Sequence, residues 1–196
     1  MTGKSRAAMM EETRAKLISA GRKAFAEKGF ADASMDDLTA DAGLTRGALY
    51  HNFGDKKGLL AAVVAQVDGE MAAKARQAAS GAEDTWAALE AEGAAYIELA
   101  LDPEIQRIVL LDGPAVLGDP SAWPSQNACL AETRRALLAL AEEGRLKPVD
   151  IEAAARLLNG AALNAALYVA ASTDPKKILP RTVEAFKALA RGFLAT

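Results

Sequence analysis

Apolar residues recur along this chain at intervals of three and four, and nowhere do they alternate with polar residues over the length of a strand. That spacing puts one apolar stripe on a helix and leaves no half-buried strand pattern, so an all-α fold is expected. Alanine and leucine dominate the blocks between glycine and proline breaks, in keeping with helix. The breaks mark about nine helices, near residues 11 or 13 to 28, 35–42, 46–52, 56–79, 85–101, 103–112, 121–143, 150–172 and 175–194. With 196 residues, 51% of them hydrophobic, the chain can fill one large or two small helical cores. The composition and motifs divide it into residues 1–60 and residues 61–196.

The first helix carries Leu17, Ile18, Gly21, Ala24 and Phe25 on its inward stripe and stops at Gly29. With Gly29 just past the last helical residue, Phe30 should fold back on Phe25, as in a Schellman ending. Ser34 suits the N-cap of the second helix, with Asp37 three residues on and Met35 and Leu38 facing inward before the turn at Gly43. Thr45 then caps a third helix that turns Leu49 and Phe53 to the core. Arg46 and Tyr50 are four apart, as are Gly47 and His51, so these four project together away from Leu49. Gly47 and Ala48 are small enough to let the backbone approach a groove. A helix, a glycine turn and a short helix with a polar, partly cationic outer face read as a helix-turn-helix that enters duplex DNA. Asp55 can cap the next helix, where Lys56, Lys57 and the free N–H groups suit a phosphate.

The charge distribution agrees. The net charge is only -3, yet residues 1–60 hold 10 Lys+Arg against 8 Asp+Glu, leaving 13 against 18 in the remainder. Taken singly, Tyr50 reads as a half-buried core aromatic, His51 as a solvated imidazole and Lys56-Lys57 as a wet helix start. Their joint spacing favours contact with DNA.

From about residue 13 to residue 60 the sequence resembles the DNA-binding domain of the TetR family of bacterial transcription regulators. The likeness is carried by Phe25, Gly29 and Phe30 at the end of the first helix, by Ala42-Gly43-Leu44-Thr45, and by Leu49-Tyr50, Phe53, Lys56 and Leu59-Leu60. It implies an N-terminal three-helix DNA-binding domain and a C-terminal helical domain for ligand binding and dimerisation. It places Thr45, Arg46, Gly47 and Ala48 against base edges, and Tyr50, His51 and Lys56 on phosphates or neighbouring groups, with Ser34 beside them. Arg46 can present a fork to guanine O6 and N7, whereas Lys56 attracts without reading sequence. Many family members carry histidine just before the phenylalanine, where this chain has Asn52. Either His51 or Asn52 therefore reaches the phosphate.

The resemblance implies a homodimeric repressor that leaves a palindromic operator when a small effector binds, although activation instead of repression stays open. For the dimer seam, residues 156–171 and the last helix offer apolar faces, represented by Leu158, Ala162, Ala165, Phe186, Leu189 and Phe193. The alternative is that both helices pack within one protomer. For the effector, Trp86, Tyr96, Trp123, Asn127, Asn164 and Tyr168 are the amphipathic groups scattered among apolar stretches. Asn164 could instead hydrogen-bond across the seam, and the aromatics could be plain core.

Other classes fare worse. One cysteine and one histidine give no internal disulfide, no zinc site and no catalytic pair, so no metal, no cofactor and no enzymatic activity are expected. A helical ligand-binding or adaptor protein without DNA binding is the remaining alternative. The N-terminus has no apolar h-region, and the longest weakly polar run, residues 157–171, contains Asn159 and Asn164 and is too short for a bilayer. A cytoplasmic location follows as an expectation.

Overall fold

The structure is a computed structural model and describes residues 5–195. Among these, extended pairing is limited to one antiparallel bridge between Leu146 and Leu194. The helices are α1 (Arg6–Asp32), α2 (Met35–Asp41), α3 (Arg46–Phe53), α4 (Lys56–Ala79), α5 (Thr85–Glu98), α6 (Pro103–Ile105), α7 (Gly113–Leu117), α8 (Pro124–Glu142), α9 (Ile151–Ala170) and α10 (Pro175–Arg191). Wide π-helical turns over Gln106–Asp112 join α6 to α7 without a gap, so the described residues form nine helical runs.

Short polar side chains start most of these helices. The Ser34 hydroxyl accepts from the Asp37 N–H at 3.0 Å, Thr45 from Ala48 at 3.2 Å, and Asp55 from Gly58 at 2.7 Å. Asp84 and Asp150 cap α5 and α9 in the same way. Each such cap satisfies an orphan donor and contributes about 1 kcal/mol. Several boundaries depart from the periodicity. α1 bends at Gly29, where φ is +79°, and continues to Asp32 instead of stopping there. α1 begins at Arg6, capped by Ser5, because residues 6–10 are helical yet exposed and carry no inward stripe. Gly113-Pro114 does not interrupt the helix, since proline is tolerated in a first turn and the π-helical turns feed directly into it. A 3₁₀ turn over Pro120–Ala122 delays α8 to Pro124.

One apolar cluster runs through the whole molecule, from Leu17, Phe25, Leu49 and Leu60 to Ile97, Ile108 and Phe186. α4 is its axis: 24 residues, about 36 Å long, passing residue 60 without a break. A smaller cluster around Trp86, Leu137, Leu140 and Leu158 gathers where α5 and α9 begin and α8 ends.

Candidate nucleic-acid interface and internal cavity

α3 is seated by Leu49, which is fully buried, and by Leu44 and Phe53, packed against the larger core. Gly43 adopts φ +64° to make the turn before it, a conformation that costs other residues about 1 kcal/mol or more. The opposite face is open. Arg46, Gly47, Tyr50 and His51 are exposed, and a side chain at Gly47 would meet only Thr45 Oγ1. Asn52 is half-buried and donates its amide to Ala48 O of its own helix at 2.8 Å, so His51 is the freer of the two groups.

Two cations on this surface are already engaged. Arg46 forks onto Asp36 of α2, with Nε donating to Oδ1 at 2.6 Å and Nη2 to Oδ2. The guanidinium beside Asp36 holds that carboxyl below its usual range. Helical spacing gives no sign of this pair, which crosses the turn between two helices. Lys56 does not project freely from the start of α4: its ammonium donates to Ala31 O at 3.2 Å and lies 4.5 Å from the Phe30 ring centroid. The neighbouring Lys57 is exposed.

The end of α1 is held from the other half of the chain. Phe30 packs on Phe25 with ring centroids 5.9 Å apart, as the Schellman pattern predicts. However, the Phe30 N–H donates to Asp112 Oδ2 at 2.7 Å, while Arg107 donates from Nη2 to Lys28 O at 3.2 Å and sets its Nε 3.5 Å from Asp112 Oδ2. Both residues belong to the π-helical turns. Gly29 sits at φ +79°, and a Cβ there would come 2.1 Å from the Arg107 guanidinium. Two turns earlier in α1, Arg22 is clasped by Glu70 of α4 at 2.8 Å and Glu104 of α6 at 2.7 Å.

A cavity of about 170 Å³ opens among α4, α5, α8, α9 and α10. Its apolar wall includes Ala72, Ala75, Leu89, Leu158, Ala162 and Phe186, and its polar wall Glu92, Tyr96, Gln126, Glu132, Thr133 and Asn159. Of the six groups proposed from sequence for a ligand, this cavity takes Tyr96 alone. Trp86 is buried in the smaller core, Trp123 covers Gly113, and Asn127 is exposed. Asn164 and Tyr168 lie instead on an outer groove between α9 and α10, together with Ala165 and Leu189. The six dimer residues are split likewise. Leu158 and Ala162 are buried inside the protomer, Phe186 is buried and reaches both cavity and groove, and Phe193 packs on the smaller core. Leu157, Tyr168 and Leu189 are the exposed large apolar side chains of α9 and α10, at 62%, 56% and 52% exposure. Helical spacing gives the stripes but not which stripe meets its own protomer.

Burial pushes the cavity's Cys129 thiol up to about 11, so it stays protonated near neutral pH. Asp68, beneath it on α4, is 1% exposed; burial raises its carboxyl above 3.8, while Ser125 and Gln126 pull it back. No helix among the described residues is long and apolar enough to cross a membrane.

Residues 17–63 match the family of bacterial regulatory proteins of the TetR family, and residues 86–193 match the tetracyclin repressor-like C-terminal domain. The Transposon Tn10 TetC protein of Escherichia coli is 27% identical over 183 residues, covering 91% of this chain and 88% of that protein. The HTH-type transcriptional regulator SrpR of Pseudomonas putida is 44% identical over 59 residues, only 30% of this chain and 28% of SrpR. A crystal structure of a TetR-family transcriptional regulator from Pectobacterium atrosepticum superposes with a TM-score of 0.88 at 48% identity, covering 98% of this chain and 99% of the other.

Proposed function

Because the chain belongs to the TetR family of bacterial transcriptional regulators, we propose that it acts as a homodimeric repressor, released from a palindromic operator by a small molecule. The observation that carries this reading is the pairing of an open α3 face with a cavity joined to it by one helix. α4 contributes Ala72 and Ala75 to the cavity and Glu70 to the Arg22 clasp, then starts beside the turn that follows α3.

In this reading residues 1–60 engage DNA and residues 61–196 bind effector and partner. Thr45, Arg46, Gly47 and Ala48 meet base edges, and Tyr50 and His51 meet phosphates. Ser34 fixes the start of α2, and Asn52 braces α3 from within. Lys56 contributes long-range attraction from its place over Phe30, and Lys57 is better exposed to touch a phosphate directly. Arg46 must exchange Asp36 for its target, so free and bound states differ by one ion pair. Tyr96 contacts effector in the cavity. The dimer forms on the outer groove through Ala165, Leu189, Tyr168 and Leu157, with Asn164 across the seam and the buried Leu158, Ala162 and Phe186 supporting it from beneath. A regulator that reads the chromosome works in the cytoplasm.

Release follows if effector favours an arrangement of α4 and the π-helical turns that α1 cannot share while α3 is docked. Coupling of this kind is reciprocal: DNA lowers effector affinity by the same factor, typically about 1–3 kcal/mol. Titrating effector into protein with and without operator, followed by anisotropy, tests it. The reading requires weaker effector binding on the complex; equal affinities refute release.

A further inference from the structure

The cavity wall carries two carboxylates and only one nearby cation, Arg76. Glu92 lines it, half-buried, and makes no hydrogen bond or ion pair among the described residues. Burial pushes its carboxyl above 4.5 and the neighbouring Glu132 adds to the effect, while the Arg76 guanidinium pulls it partly back. Glu132 is paired with Arg76 at 3.2 Å, and no lysine or arginine lines the cavity. Across from these, Asn159 Oδ1 accepts from the Thr133 hydroxyl at 2.7 Å, while its Nδ2 is buried without an acceptor. Unpartnered buried donors are rare in folded proteins and costly, so a waiting amide N–H on a cavity wall points to an acceptor supplied from outside. The rest of the wall is mostly alanine, leucine and phenylalanine, with Tyr96, Gln126, Thr85 and Cys129 as its uncharged polar groups. A cavity near 150 Å³ holds one benzene ring, so about 170 Å³ takes one ring with a short chain.

Building on the effector reading above, we propose that this cavity selects a small organic cation: a protonated amine on a single aromatic ring, its ammonium against Glu92 and a ring oxygen accepting from Asn159 Nδ2. A neutral ligand of the same shape leaves Glu92 with only the shared influence of Arg76, which is already paired with Glu132, and an anion adds a third carboxylate beside Glu92 and Glu132.

Three probes of nearly one shape separate these cases: tyramine, the neutral alcohol tyrosol, and the anion 3-(4-hydroxyphenyl)propanoate, titrated calorimetrically into the full-length protein without DNA. The proposal predicts that tyramine binds roughly tenfold or more tightly than tyrosol and that the propanoate is weakest. Glu92→Gln, nearly isosteric, should bring tyramine and tyrosol to within about twofold of each other. Ala136→Leu, which narrows the same cavity with both carboxylates kept, should weaken tyramine. Tyrosol or propanoate binding as well as tyramine, no tyramine binding, or a cation preference unchanged in Glu92→Gln overturns the proposal; so does full tyramine affinity in Ala136→Leu. Since no operator is present, failure here refutes the ligand class alone, whereas failure of release shows only when operator is added.

Discussion

Replacing Arg22 by methionine tests how firmly the two halves of the chain are joined. Arg22 makes four charge-assisted hydrogen bonds, two to Glu70 at 2.8 and 2.8 Å and two to Glu104 at 2.7 and 2.7 Å. A net contribution of about 1.5–3 kcal/mol is usual for each such bond when sheltered. Here the side chains of Arg22, Glu70 and Glu104 remain 24%, 41% and 31% exposed, so solvent screens much of it. Methionine keeps the stem packing and leaves two carboxylates facing each other, which gives an expected loss of about 2–4 kcal/mol for the whole clasp. At this chain length 1 kcal/mol shifts Tm by about 2–4 °C, so thermal denaturation should fall by roughly 5–15 °C. Arg22→Lys, with the charge but no planar fork, should lose about half as much. The guanidinium also holds the Glu70 carboxyl below 4.5, so the clasp's stabilisation is full above that value and fades as pH falls through the depressed one. Arg22→Met should therefore lose less stability than wild type on acidification. A Tm change below about 2 °C, or equal loss in Arg22→Lys and Arg22→Met, refutes the reasoning.

Asp36→Asn should free Arg46 and raise DNA affinity several-fold in anisotropy at low salt, whereas Arg46→Ala should relax preference at particular base pairs, a loss of about 1–3 kcal/mol there. Asp68 is an acid whose folded pKa lies above the unfolded 3.8, so its burial penalty grows as pH rises through that window and is constant beyond it. Asp68→Asn should accordingly raise Tm at pH about 8 and give no gain near pH about 4, read by denaturation across pH. Leu189→Glu, at an exposed position on the α10 groove, should shift sedimentation toward monomer with the protomer still folded; a dimer that persists moves the seam elsewhere.

The local features were legible in the sequence because local chemistry makes them. Ser34, Thr45 and Asp55 cap where short polar side chains precede an apolar stripe, and Gly29 and Gly43 take the positive φ that a turn needs. The outward face of α3 follows from Leu49 and Phe53 alone. What was not legible joins residues far apart in the chain: Phe30 to Asp112 and Arg22 to Glu104, each 82 residues distant. The cavity is hidden for the same reason, since Glu92, Thr133 and Asn159 come from three helices, and none stands out on its own helix. Tryptophans drew attention as ligand groups because they are amphipathic, yet Trp86 is spent on ordinary packing. Leu158 and Phe186 belong to stripes of the expected helices, but periodicity cannot tell a protomer's own core from a partner's surface.

Selection of bound duplexes from a random pool measures the central claim most directly. Two copies of α3 related by a two-fold axis should recover a palindrome whose half-site centres lie about 10–10.5 base pairs apart or a multiple of that, with recovery lost in Arg46→Ala at defined positions. Recovery of unpaired half-sites without fixed spacing, or no enrichment over the starting pool, contradicts it.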